Sequence, residues 1–446
     1  MVYELILIAI QLLVFTREIT PRLQYIFELI IEEILGMKLE LTTDKDHFVS
    51  VSQPKINYSE LFLESSLRIK PAGLLFEQDI REQDLYVPSW KNMKVFYLAD
   101  PDSDLPFDLF AASFFMVSRY EEYLNPELDF HGRFDTYQSL SYRNDFHNNP
   151  VVDMWALELE KCLKEKFPAI KKGKRIFRSI TTLDIDEQYA FRYKGFARTV
   201  GGIFKSGNRK IKGETRYRLS VLFGRKKDPY QTFDLLREWH ERYRTKPVFF
   251  FLVGKYGKYD KNLSIRKKAY KRLVREISDR YDIGIHPSYR SNIDPEILKE
   301  EKNALQEEVG KPVIRSRQHY LKLEIPHTYR NLIRLGIRED YSMGFPAETG
   351  FRAGIATPFY FYDLLKEEKT NLKIFPFHVM DGTLNDYLRM EPKEGLERIS
   401  LVMNEVKAVK GTFISLWHNS SLSEWGQWEG WRAVYEEMLK MASGQG

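Results

Sequence analysis

Cysteine is nearly missing from this chain. Cys162 is the single one in 446 residues, so no disulfide can form within the chain and a cysteine-based zinc site is excluded. Any metal must be held by His, Asp or Glu. A surplus of charge is missing too. The 68 Lys and Arg residues face 63 Asp and Glu, and a formal charge of +5 is too balanced to argue for a nucleic-acid partner. No segment reads firmly as a membrane anchor. The apolar run Leu5 to Phe15 is too short to span a bilayer, opens on Glu4, has no positive charge before it and has no small-residue cleavage site after it. A cytoplasmic protein is expected, with export or anchoring through Leu5 to Phe15 as the alternative. Internal repeats are also lacking.

What is present is ample material for a core. Hydrophobic residues make up 43% of the chain and aromatics 14%. The length suggests two or three domains at roughly 150 residues each. The N-terminal part reads as strand, then a helix from Thr20 that ends on Gly36, then a strand through L-E-L-T-T-D. Helical spacing predicts further helices over Phe107 to Leu124 and Asp153 to Phe167. The charged stretch Ala169 to Arg175 is a natural boundary, which gives an N-terminal α/β domain over 1–172 and a second domain over 173–446.

From Arg175 the pattern alternates. Strand-like runs recur at R-I-F-R-S-I-T-T-L, P-V-F-F-F-L-V, Y-D-I-G-I, P-V-I-R-S-R, E-D-Y-S-M, L-K-I-F-P-F and G-T-F-I-S-L-W. Helix-like runs, such as Gln231 to Tyr243, Ser264 to Tyr281, Pro295 to Val309 and Pro392 to Val409, lie between most of them. About seven β/α units argue for a parallel sheet or a barrel. The basic segment Lys205 to Lys227 interrupts the pattern. It is expected to be a solvated loop, the alternative being a lip that attracts an anionic glycan or a lipid-phosphate carrier.

In a β/α barrel, functional side chains project from the C-terminal strand ends. Five strands here end in such groups: Asp184 and Asp186, His286, Arg317 and His319, His378 and Asp381, and His418. Random placement would scatter them over both rims. Asp184 and Asp186 have strand spacing and point the same way, so they repel unless a cation lies between them or one is protonated. His286 and His319 with a carboxylate make a facial metal site with open positions. His418 has the unperturbed pKa of a general acid near neutrality. For each of these the plainer reading is a capped strand end or a core histidine. Trp417, Trp425, Trp428 and Trp431 offer either sugar-stacking faces or core packing.

These motifs resemble the polysaccharide deacetylase superfamily, NodB-like, also called carbohydrate esterase family 4. The likeness covers about residues 176 to 441. F-D-L-F-A-A-S-F-F-M-V-S-R-Y-E-E-Y-L, T-L-D-I-D-E-Q-Y-A-F and R-Q-H-Y-L are similar to a bacterial subgroup in which an uncharacterised N-terminal domain precedes the deacetylase-like one. The resemblance implies a distorted (β/α)7 barrel. It implies Asp184 as base and Asp186 as metal ligand, with Ile185 inserted between them. The second motif keeps His286 but carries Arg290 where a second His is expected. R-Q-H-Y stands for R-x-P-Y, so Arg317 would orient Asp184 and His319 would replace the missing ligand. L-W-H makes His418 the acid.

The implied activity is metal-dependent hydrolysis of an N-acetyl group on an acetamido sugar. The implied cofactor is a divalent metal, zinc first, on Asp186, His286 and His319, assisted at the oxyanion by a backbone N–H. Arg352, His378, Asp381, Trp417 and Tyr320 are expected to shape the substrate pocket. The partner is an N-acetylated glycan or a lipid-linked sugar. The altered ligands keep two alternatives open: a metal-independent amide hydrolase of the same fold, and a non-catalytic glycan-binding protein.

Overall fold

The structure is a computed structural model that describes residues 11–171, 173–196, 198–200 and 214–444. The first part of the apolar run Leu5 to Phe15, and the first part of the basic segment Lys205 to Lys227, lie outside them. Within the described part of that segment the expected loop is a helix, Glu214–Leu222. Arg218 pairs with Glu214 one turn away and lies 4.4 Å over the Phe191 ring, which supplies the apolar and ionic partners a solvated loop would lack.

The N-terminal part holds a four-stranded parallel sheet. Strand Gln11–Thr16 pairs with Lys38–Thr42 on one side and with Lys55–Tyr58 on the other, and Leu67–Arg68 adds to Lys55–Tyr58. The helix read from Thr20 begins with a Thr20 side-chain cap and Pro21 at its first position, as capping chemistry requires. It runs through Pro21–Phe27 and continues as a π-helix, Glu28–Ile34. Helix Leu109–Val117 is capped by Asp108 and is buried along its whole length, so it carries no polar face. Helix Val151–Lys166 matches its predicted span.

The second sheet has nine strands, mostly parallel. Its order is Phe359–Asp363, Glu368–Ile374, Glu339–Asp340, Arg315–Ser316, Asp282–His286, Val248–Leu252, Arg178–Ile185, Thr412–His418 and Val379–Met380. As a ladder it has two edges. Its one antiparallel pair, Phe359–Asp363 with Glu368–Ile374, is a hairpin that the β/α periodicity hides.

Parity explains where the site lies. In this sheet Leu183, Ile185, Phe249, Phe251, Ile283 and Ile285 join the main core. Val248, Phe250, Ile414 and Leu416, one residue out of phase, join a separate small core with Tyr341 and Phe377. Alternate residues face opposite sides of a sheet. Asp184 aligns with Phe250 and with His418, and Phe250 aligns with Gly284, two residues before His286. Asp184, His286 and His418 therefore share the face of the small core, and Asp186 is the next position on that face. Gly284 keeps this face open. A Cβ there would lie 2.5 Å from the Phe250 ring and 2.8 Å from the Arg315 carbonyl.

The two sheets do not stand apart. One apolar cluster runs from Leu12 to Leu439. Across it, Arg22 pairs with Glu367 at 2.6 Å, Tyr25 Oη donates to Tyr360 O at 2.6 Å, and the buried Asp153 accepts from Ala356 N at 2.6 Å. Among the described residues, no helix is long and apolar enough to cross a membrane.

Candidate metal and acid–base site

At the C-terminal ends of the central strands, Asp186, His286 and His319 converge. One ligand atom from each lies within 4.8 Å of the others. His286 Nε2 is 3.1 Å from Asp186 Oδ1, and His319 Nε2 is 3.5 Å from Asp186 Oδ2. The far nitrogen of each ring is tied down. His286 Nδ1 meets the Arg317 carbonyl, which can only accept, so Nδ1 carries the proton and Nε2 presents its lone pair. His319 Nδ1 bonds Asp260 Oδ1 at 2.8 Å. Fixing Nδ1 and aiming Nε2 is how outer-shell groups prepare imidazoles for a cation.

Asp186 adds a second sign. Its Oδ1 is buried and takes no hydrogen bond despite the nearby His286 ring. Burial alone would raise this carboxyl. The positive potential of His319, and then of His418, instead holds it well below the usual carboxylate range. Burial would lower His319, but Asp186 and Asp260 push it up to about 9. One carboxylate and two imidazoles, with an unspent acceptor among them, fit a divalent cation such as zinc. Arg290 is exposed and takes no part.

Asp184 is buried beside the same ring, with Oδ2 3.7 Å from His286 Nε2. Arg317 reaches it at 3.3 Å from Nη1, donates to Thr182 Oγ1 at 2.6 Å, and anchors its Nε on Tyr341 O at 2.9 Å. The guanidinium is fully buried over the Phe250 ring. His418 is fixed by Asp381 twice, through Nδ1 at 2.8 Å and through its backbone N–H at 2.7 Å. Its Nε2 lies 3.6 Å from Asp186 Oδ2. Burial would lower His418, but Asp381, then Asp186 and Asp184, push it up to about 10, so the ring is cationic at neutral pH.

These groups open into a cleft of about 440 Å³, also lined by Arg133, Tyr259, Tyr320, Met380 and Tyr387. Tyr320 is on its wall, as expected for a pocket residue. Four other residues expected in the pocket are not. Arg352 is buried and pairs with Glu122 of the N-terminal part at 2.8 Å, because a buried guanidinium needs a counter-charge. His378 is buried against Phe351, and its Nδ1 accepts from Ile414 N at 3.1 Å. Trp417 has the opposite parity to His418 and packs into the main core on Tyr435. Asp381 holds His418 rather than lining the cleft.

Sequence reasoning misses Asp260 and Arg133. Asp260 has a weak signal. It follows strand Val248–Leu252, a central strand to which the sequence pattern assigns no polar group, on the rim that carries the rest. Arg133 has none, since it lies in the other half of the chain.

Residues 12–168 match a family model described as a family of unknown function, DUF7033. No curated protein matches the chain. Solved structures similar to it include polysaccharide deacetylases. One, a protein from Mycobacterium smegmatis assigned as a polysaccharide deacetylase, is 14% identical with a TM-score of 0.41, over 61% of this chain and 85% of that one. The polysaccharide deacetylase from Bacillus cereus is 11% identical with a TM-score of 0.29, over 60% and 88%. A CE4 family pseudoenzyme from Bacillus anthracis is 11% identical with a TM-score of 0.32, over 61% and 62%. All three scores fall below 0.5.

Proposed function

We propose that the chain is a hydrolase that removes an N-acetyl group from an acetamido sugar of a glycan or glycan precursor. The observation that carries this reading is the aimed pair, His286 and His319, around the unspent oxygen of Asp186. Asp184, 3.7 Å from His286 Nε2, and His418, 3.6 Å from Asp186 Oδ2, support a base and an acid beside that centre. The sheet reads as the distorted (β/α)7 arrangement if 368–380 acts as one strand, since it pairs with Glu339–Asp340 at its middle and with Thr412–His418 at its end. The boundary near residue 172 follows as part of the same reading.

Asp186, His286 and His319 would hold a divalent cation, with zinc suited to this donor set. When bound, such an ion supplies a Lewis acid beside the substrate carbonyl and lowers the pKa of water. Asp184 takes the proton of the attacking water as it adds to the acetyl carbon. Arg317 keeps Asp184 oriented, and its burial keeps bulk water from competing. His418, cationic and locked by Asp381, gives its proton to the sugar nitrogen as the C–N bond breaks, releasing acetate and a free amine. Tyr320 borders the sugar.

Acetate release from N-acetylated oligosaccharides tests this reading. Turnover by the full chain, lost in Asp184→Asn, is expected. A chain that holds its metal and releases no acetate from any N-acetylated glycan would contradict it and favour glycan binding without catalysis.

A further inference from the structure

A loop from the N-terminal part completes the wall of the cleft. Leu128 and Phe134 form an isolated antiparallel bridge, and the turn between them carries Phe130, His131 and Arg133. Asp129 closes this turn. Its carboxylate accepts from the backbone N–H groups of His131 and Arg133 at 2.8 and 3.0 Å, and from Arg133 Nε at 2.7 Å. The buried guanidinium then leaves the loop and donates to Tyr320 O at 2.9 Å and Tyr387 Oη at 3.1 Å. Both acceptors belong to residues that line the cleft. Tyr320 directly follows His319 and has a φ of 59°, a left-handed backbone that these contacts help to hold.

The loop is thus pinned to the site, and its His131 ring lies against Tyr259 and Tyr320, which line the cleft. The His131 ring lies 4.8 Å from the Tyr320 ring, and its Nδ1 is 3.3 Å from the Tyr289 hydroxyl. Phe130 stands edge-on to His131 and is 84% exposed. A large ring that a rigid turn leaves in water adds nothing to the core. Rings flanked by hydroxyl and imidazole groups suit a pyranose, whose C–H face stacks on an aromatic and whose hydroxyls take the polar tips.

We propose that this loop forms a sugar-binding subsite next to the acetamido site, so that the ligand is an oligosaccharide rather than a single sugar. The N-terminal part is then a wall of the site, not an appendage to it. The proposal rests on the glycan reading above, and its test is independent of turnover. The full Asp184→Asn chain is titrated calorimetrically with the dimer and the hexamer of β-1,4-linked N-acetylglucosamine. The hexamer is expected to bind about tenfold tighter, and most of that advantage is lost in Phe130→Ala and in His131→Ala. Phe130 is exposed, so its replacement does not endanger the fold. Equal affinity for both lengths, no binding of either, or an advantage that survives both substitutions overturns the subsite. Acetate release by the unmodified chain is scored separately. Its absence beside length-dependent affinity removes the hydrolase reading and leaves the subsite, and the reverse pairing removes only the subsite.

Discussion

His319 Nε2 lies 3.5 Å from Asp186 Oδ2, while Arg290, at the position where a ligand histidine is expected, is exposed. Under the proposed reading, the ligand role passes from the loop after one strand to the loop after its neighbour. The move needs a partner to orient the new imidazole, and Asp260 supplies it at 2.8 Å from Nδ1.

Asp260→Asn should weaken metal affinity by about 10- to 100-fold, the usual cost of removing an outer-shell carboxylate. Competition with a chelating dye measures it. Arg290→Ala should leave the affinity unchanged. Equal affinities for Asp260→Asn and the unmodified chain would show that His319 needs no such support.

Asp381→Asn should lower kcat by about 10²- to 10⁴-fold, the range of general acid–base catalysis, with KM little altered. The sign in pH is fixed. Asp381 raises His418, so its loss lowers the pH at which the acid is deprotonated, and the alkaline limb of the kcat profile shifts to lower pH. A variant whose alkaline limb stays in place would separate Asp381 from the acid.

Burial pushes two histidines down. His240 and His378 both fall to about 3, so both are neutral in the folded chain. For His378 a backbone hydrogen bond offsets only part of the lowering. In the unfolded chain a histidine titrates near 6.5. Their stabilisation is fully present above that pH and is lost as pH falls from about 6.5 towards 3, because the unfolded chain binds the protons. At pH 5 each should cost about 2 kcal/mol. Denaturant midpoints at pH 7.5 and pH 5 test this, with His240→Gln expected to lose less stability between the two. An identical loss in that variant would contradict the assignment.

Glu122 lies between two buried guanidiniums, Arg119 at 2.8 Å and Arg352 at 2.8 Å. Glu122→Ala leaves both without that counter-charge and should destabilise the chain by about 3–5 kcal/mol. Chemical denaturation reads the change. A loss under about 1 kcal/mol, the range of an exposed pair, would mean that Glu122 does not hold the two halves of the chain together.

Much of the site is legible because strand parity is written in the sequence. Asp184, Asp186, His286 and His418 follow apolar runs whose period of two also sets their direction. The same logic removes Trp417 from the pocket, since it is one residue out of phase with His418. Arg352 and His378 mislead for a different reason. Both lie close to the rim in sequence, and only the tertiary packing reveals that they are buried, Arg352 on Glu122 and His378 Nδ1 on Ile414 N. The hairpin Phe359–Asp363 with Glu368–Ile374 is hidden because an antiparallel edge breaks the β/α alternation. Asp260 has only the weak signal of its place after a central strand, and Arg133 acts through contacts distant in sequence, which no local pattern encodes.

Zinc content of the purified full chain, measured beside the same chain carrying His319→Ala, tests the central claim most directly. The account predicts about one zinc per unmodified chain, retained in Arg290→Ala and lost in His319→Ala. Undiminished zinc affinity in His319→Ala would contradict it.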